Sequence, residues 1–167
     1  MRAIAVADRN WGIGKDGGLI YDLPGDLRYF SDMTRGKVVV MGSATLRSLP
    51  GGRPLRNRVN VVLSRNPDLQ AEGAVVVRSR DELREAVKDF RPEDVMLIGG
   101  ETLYAQYIAC CDVAYVTRVE AQAPADRFFP DLDRLPGWRL AHCSEPVVEN
   151  GIRYAFCEYA NDRVEEL

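Results

Sequence analysis

Val95-Met96-Leu97-Ile98-Gly99-Gly100-Glu101-Thr102-Leu103-Tyr104-Ala105-Gln106-Tyr107-Ile108 is the stretch that decides the fold. Its first four residues form a short, continuous apolar run, which suits a strand buried on both faces of a largely parallel sheet. Two glycines then interrupt it, and Glu101 to Ile108 has the character of a helix. Strand, glycine turn and helix is a common way to bring bare backbone N–H groups against phosphate at a helix N-terminus. Paired glycines at a strand end are more often plain turn residues, and the full GxGxxG fingerprint is missing, which counts against an ordinary dinucleotide-binding fold.

The same texture extends outward from this segment. Ala3 to Ala7, Val38 to Met41, Val59 to Leu63 and Ala74 to Val77 are further short apolar runs, each a candidate buried strand. Helical patterns lie between them. Leu27, Phe30 and Met33 repeat at helical spacing after Pro24, a residue favoured in a first turn. Ser79 is placed to cap a helix whose apolar stripe is Leu83, Ala86, Val87 and Phe90. Val40-Met41-Gly42-Ser43-Ala44-Thr45-Leu46 repeats the strand–turn–helix unit, so two such turns can hold one pyrophosphate from opposite sides. Past Ile108, Ala114 to Val119 and Arg153 to Tyr159 alternate in character, with Glu149-Asn150-Gly151 as a turn signal before the second. The expected fold is α/β: a mixed, mainly parallel sheet flanked by helices, with an antiparallel C-terminal strand, forming one domain over residues 1–167. The charged end from Asp162 to Leu167 reads as a frayed tail.

Composition narrows the function classes. With 167 residues, 46% of them hydrophobic, the chain can bury one good core. A net charge of −3 without any Lys/Arg run argues against a nucleic-acid or anionic-membrane partner. Met1 to Asp8 shows no basic leader, and no apolar run approaches the roughly 20 residues that span a bilayer, so a cytoplasmic protein is expected. Cys110, Cys111, Cys143 and Cys157 form no CxxC pair and the lone His142 has no ligand partner at metal-binding spacing, so no metal is assigned. All four cysteines are expected as reduced, buried thiols, and His142 as a structural residue.

Asp26, in Leu23-Pro24-Gly25-Asp26-Leu27, is the carboxylate that stands out. An acidic residue in a first helical turn ordinarily serves the helix dipole. Here Leu23, Leu27 and Phe30 surround it with apolar groups, and a carboxylate so placed must find donors or take up a proton. Leu63-Ser64-Arg65-Asn66 ends another strand in a hydroxyl and a guanidinium, both suited to a phosphate.

Together these segments resemble dihydrofolate reductase. Trp11-Gly12-Ile13-Gly14, Leu23 to Leu27 with Phe30, Val40-Met41-Gly42, Gly52-Arg53-Pro54-Leu55 with Arg58, Val62 to Arg65, Ile98-Gly99-Gly100 with Tyr104, and Tyr115-Val116-Thr117 match that family in order and spacing. The segment Asp126-Arg127-Phe128-Phe129-Pro130 extends the similarity toward the C-terminus, so that it covers nearly the whole chain.

The resemblance implies reduction of 7,8-dihydrofolate by NADPH, serving one-carbon metabolism and tetrahydrofolate synthesis, by a monomer that also binds antifolates. Asp26 takes paired hydrogen bonds from the pterin, Thr117 supports the same edge, and Tyr21 bears on the proton path as the third catalytic-site residue. Val6, Leu27, Phe30, Leu49, Leu55, Ile98 and Tyr104 are the implied substrate-side residues, with Arg58 on the glutamate α-carboxylate. Ala7, Ile13, Gly14, Leu19 and Thr45 fall on the cofactor side, with Val6 and Ala7 near the nicotinamide. The pyrophosphate lies between Gly42, Ser43, Ala44 and Thr45 on one side and Gly99, Gly100, Glu101, Thr102 and Leu103 on the other, while Leu63, Ser64 and Arg65 face the adenosine end. The glycine-rich segment from Asn10 to Leu23 is then the loop that closes over the nicotinamide.

Four positions depart from the family. Tyr21 stands where Trp is usual, Leu19 takes a frequent Met position, and Ser43-Ala44 replaces the basic residues common after Met-Gly. Ser64 and Arg65, with Arg47 as a further candidate, are left to recognise the 2′-phosphate. Two rival readings remain: a related-fold reductase acting on a ribosylamino-pyrimidine, against which Asp26, Phe30 and Thr117 argue, and a non-catalytic nucleotide-binding module, which needs neither Asp26 nor Arg58.

Overall fold

A computed structural model describes residues 1–167. Its strands are β1 (Arg2–Ala7), β2 (Gly12–Lys15), β3 (Gly18–Leu19), β4 (Val38–Gly42), β5 (Val59–Leu63), β6 (Ala74–Val77), β7 (Val95–Gly99), β8 (Val113–Val119), β9 (Arg127–Phe128), β10 (Trp138–Cys143), β11 (Val147–Glu149) and β12 (Ile152–Asn161). The helices are α1 (Pro24–Thr34), α2 (Ser43–Ser48), α3 (Arg80–Val87) and α4 (Glu101–Tyr107).

The main sheet runs β10-β12-β8-β1-β7-β4-β5-β6, with β11 paired to β12. From β8 to β6 every neighbouring pair is parallel, and β12 and β10 add antiparallel strands at one end. Continuous apolar runs are what such strands require, because both faces are covered. In β4, Val38 and Val40 point into one core cluster with Leu83, Leu97 and Tyr107, whereas Val39 and Met41 point into the other with Leu46 and Met96. All four β4 side chains are essentially inaccessible, and each contributes about 1.5–3 kcal/mol by leaving water.

Local capping fits the expected start of α3. The Ser79 hydroxyl accepts from the Glu82 N–H at 3.1 Å at the start of α3, an N-cap bond worth about 1 kcal/mol. Leu83 and Val87 are buried on its inner face, but the helix ends at Val87, so Phe90 lies beyond the stripe and is 40% exposed. The Asn150-Gly151 turn has positive φ at both positions, 52° and 74°, and joins β11 to β12 with Glu149 opposite Ile152. That is the twist-compatible hairpin turn. The glycine-rich segment after β1 forms a second hairpin, β2–β3, turning at Asp16 (φ 52°) and Gly17 (φ 81°), and β9 pairs along its other side.

Two expectations are overturned. Cys143 and Cys157 face each other in register on β10 and β12 and form a disulfide, whereas Cys110 and Cys111 are free and buried. Pairing across antiparallel strands brings residues 14 apart to a Cα separation of 4.1 Å. Cys143 is exposed, so the uniform reading as buried thiols fails there. The C-terminus is docked rather than frayed: Glu165 N–H bonds Ala109 O at 2.9 Å, Arg80 and Arg84 donate to the carbonyls of Glu166 and Leu167, and Leu167 packs on the core. No helix is long and apolar enough to cross a membrane.

Candidate active site

Asp26 occupies the first turn of α1, whose N-terminal residue Pro24 has no N–H to leave unpaired. The carboxylate is 9% exposed, and its Oδ1 accepts a hydrogen bond of 2.6 Å from the Thr117 hydroxyl on β8. Burial pushes the Asp26 carboxyl above its ordinary value; the Thr117 hydrogen bond opposes this, and the negative charge of Glu149 adds to it. Glu149, which the sequence marks only as a turn residue, belongs to this site. Its two carboxylate oxygens accept from Gly25 N–H at 2.9 and 3.2 Å, capping α1 from the β11–β12 hairpin in place of Leu23, which offers no side-chain cap. Gly25 is required for this approach, since a Cβ there would sit 2.6 Å from the Tyr154 hydroxyl.

Phe30, Leu49, Leu55 and Ile98 all pack, partly buried, against one core cluster, and so converge on one face of the sheet. Val6 and Tyr21 pack instead with Leu23 and Phe156. Leu27 is 50% exposed on α1. The buried Asn60 side chain, missed from sequence, donates to Leu55 O at 2.8 Å and Arg58 O at 3.2 Å and accepts from Leu55 N–H. It therefore shapes the turn that carries both residues. Arg58 donates to Ser31 Oγ at 3.1 Å and retains a buried Nε with no partner. Desolvation, and then the Arg35 charge nearby, lower its pKa.

The two glycine turns lie side by side because β4 and β7 are adjacent, with Met41 opposite Gly99. A Cβ at Gly99 or Gly100 would stand 3.3 or 3.5 Å from Thr45 Oγ1, and one at Gly42 3.5 Å from Leu103. Neither α2 nor α4 has a side-chain cap, so N–H groups at both helix starts are left for another acceptor. Tyr104 is buried behind this turn with its hydroxyl on Ile4 O at 2.6 Å; Glu101 pairs with Arg127 at 3.7 Å and Thr102 is exposed. Ser43 is half-buried, Ala44 exposed and Ala7 fully buried. Ile13 packs on the core, Gly14 is buried in β2, and Leu19, 61% exposed, lies on β3. At the end of β5, Leu63 is half-buried and Ser64 buried with its hydroxyl on Asn66 N–H at 3.2 Å, while Arg65 is exposed and makes no ion pair. Tyr21 gives its hydroxyl proton to Asp8 Oδ2 at 3.3 Å rather than to Asp26.

A mainly parallel sheet with a glycine cradle at adjacent strand ends, and a buried carboxylate–hydroxyl pair at the head of a neighbouring helix, makes an α/β protein whose uncapped helix starts suit an anionic ligand. The sequence pattern of the family described as dihydrofolate reductase matches residues 1–161, and the chain belongs to that family. It is 43% identical over 156 residues to dihydrofolate reductase type 3 of Salmonella typhimurium, covering 93% of each chain. Against the dihydrofolate reductase of Bacillus subtilis (strain 168) the identity is 35% over 158 residues, with 93% and 91% covered. The dihydrofolate reductase of Enterococcus faecalis, solved with NADP(H) and RAB-propyl, superposes with a TM-score of 0.85 at 34% identity, covering 96% of this chain and 95% of that one.

Proposed function

We propose that the protein reduces 7,8-dihydrofolate to 5,6,7,8-tetrahydrofolate with NADPH. The observation that carries this reading is the Asp26–Thr117 pair. A carboxylate with one oxygen held by a hydroxyl still has lone pairs for the ring N–H and exocyclic amino group of a pterin, and desolvation strengthens both bonds. Because Thr117 donates its proton to Asp26, its own lone pairs are free to accept from that amino group. Phe30, Leu49, Leu55 and Ile98 line the apolar side, with Leu27 and Val6 at its margins, and Arg58 offers its unpartnered Nε to the glutamate carboxylate.

The residues of the glycine cradle fit the pyrophosphate of NADPH, which when bound supplies the hydride. Gly42 to Thr45 and Gly99 to Leu103 would hold it, with Ser64 and Arg65 toward the 2′-phosphate. The chain's own contribution is to align the pterin, keep water from the reacting face and steer one proton. Asp26 anchors the pterin and does not deliver that proton, which arrives through water. Burial, and then the charge and hydrogen bond of Asp8, raise the pKa of the Tyr21 phenol, which makes it a weaker acid. Its lone pairs remain available to orient a water. A monomeric, cytoplasmic enzyme belongs to the same reading.

The test is to mix purified protein with NADPH and dihydrofolate and follow the loss of NADPH absorbance, then repeat with NADH. No loss with NADPH overturns the reading; equal efficiency with both cofactors removes Arg65 from its role.

A further inference from the structure

Asp8 follows the last residue of β1 and is fully buried, yet no cationic side chain pairs with its carboxylate. Arg118, the nearest candidate on β8, lies 3.7 Å over the Trp11 ring and donates to the Asp8 main-chain carbonyl at 3.1 Å. The carboxylate is satisfied by four other donors. Oδ1 accepts from Asn10 N–H at 3.0 Å and Gly12 N–H at 2.9 Å; Oδ2 accepts from Ala123 N–H and the Tyr21 hydroxyl, both at 3.3 Å. Asn10 and Gly12 begin the segment that leads through the β2–β3 hairpin, and Tyr21 ends it, two residues before the buried Leu23.

We propose that Asp8 is a positioning residue of this enzyme, its carboxylate clasping both ends of the 9–22 segment, with the Tyr21 hydroxyl as the releasable half of the clasp. The inference rests on the reading above in one respect, that the segment covers the cofactor side of the site.

The physics distinguishes Tyr21 from the other donors. A buried carboxylate stripped of donors is costly, so the three main-chain N–H groups hold their places. Those donors are fixed by local backbone: Asp8 and Gly12 also bond main chain to main chain at 3.1 Å, and Trp11 is wedged between Phe129, Tyr159 and Arg118. Gly12 is locked too, because a Cβ there would meet Ala125 at 2.9 Å and Asp8 Oδ1 at 3.1 Å. Tyr21 is half-buried, so a water molecule can take its place on Oδ2. Beyond it the hairpin tip from Lys15 to Leu19 is exposed, held by the short β2–β9 pairing and by Asp16 N–H on Asp126 at 3.0 Å. Release of one phenol therefore frees the far end of the segment while its near end and α1 stay fixed.

The experiment compares the whole protein with Tyr21→Phe, Asp8→Asn and the double variant. Trypsin cleavage after the exposed Lys15, identified by mass, reads opening of the segment directly, and steady-state kinetics read its effect on the reaction. Tyr21→Phe is expected to raise the Lys15 cleavage rate about tenfold, the worth of a charge-assisted hydrogen bond at the low end of its range. It is also expected to raise KM for NADPH by a similar factor while KM for dihydrofolate stays within about twofold. Asp8→Asn moves both in the same direction, and the double variant is no worse than the worse single one, because the Tyr21–Asp8 bond that Tyr21→Phe removes is already disrupted in Asp8→Asn. If Asp8→Asn fails to fold, Tyr21→Phe, which keeps the ring, carries the test. Cleavage and KM for NADPH within about twofold of the parent, or additive effects in the double variant, overturn the clasp. If the parent shows no NADPH oxidation with dihydrofolate but Lys15 cleavage still rises in Tyr21→Phe, the reaction assignment fails and the clasp stands.

Discussion

Replacing Asp26 by Asn is expected to make the free protein more stable and nearly inactive. The carboxyl is 9% exposed and its folded pKa is raised, mainly by burial. A group whose folded pKa lies above its unfolded value contributes stability in its protonated form at low pH, and that contribution is lost as pH rises through the folded pKa. Above its raised folded pKa, Asp26 carries a buried charge that binding, not folding, rewards. Asn copies the neutral form and still accepts the 2.6 Å bond from Thr117. The gain is about 1 kcal/mol, equivalent to roughly 2–4 °C in the thermal midpoint for a chain of this size. The loss in activity is larger. Two charge-assisted hydrogen bonds to the pterin, at about 1.5–3 kcal/mol each, amount to roughly 3–6 kcal/mol, or about 140-fold to 20,000-fold in kcat/KM. Thermal melts of both proteins at pH 7.5 and near pH 4, with NADPH oxidation in parallel, decide the matter. The stability advantage should shrink toward acid pH. A variant less stable at pH 7.5, with a gap independent of pH, would refute the burial argument, and retained turnover would refute the anchor role.

Thr117→Val removes the hydrogen bond that lowers the Asp26 pKa, so the pH dependence of kcat/KM should move to higher pH, with a loss of about tenfold at neutral pH; an unmoved profile would mean that the hydroxyl does not act on Asp26. Glu149→Gln removes a charge that raises that pKa, so the profile should move to lower pH, while the weaker cap on Gly25 costs about 1 kcal/mol in a denaturant titration; a shift in the opposite direction would sink the electrostatic coupling. Thiol titration of the denatured, unreduced protein should find two of the four cysteines, and all four after dithiothreitol. Cys143→Ser should cost about 3 kcal/mol, the chain-entropy value for closing a loop of this length, and a melt unchanged by both treatments would show the bridge to be absent.

How much was legible in sequence depends on whether a feature leaves its mark locally. Val38 to Met41 reads as a buried strand because each residue must be apolar when both sheet faces are covered. Ser79 and Asn150-Gly151 are equally readable, since a cap and a two-residue turn are solved within a few positions. Phe90 misled because apolar spacing does not mark where a helix stops. Asp26 and Thr117 were paired through a family resemblance, as nothing local joins residues 91 apart.

Residue types alone determined the alternation of buried strands and helices, the two glycine turns, and a carboxylate at the head of an amphipathic helix. Only the tertiary structure decided which partners those groups have: Glu149 on Gly25, Asn60 under Leu55 and Arg58, Cys143 against Cys157, and Asp8 holding Tyr21. The physical reason is register. Backbone period and burial act on each segment separately, but a hydrogen bond of about 3 Å depends on how segments meet, and a shift of one residue along a strand turns every side chain to the other face.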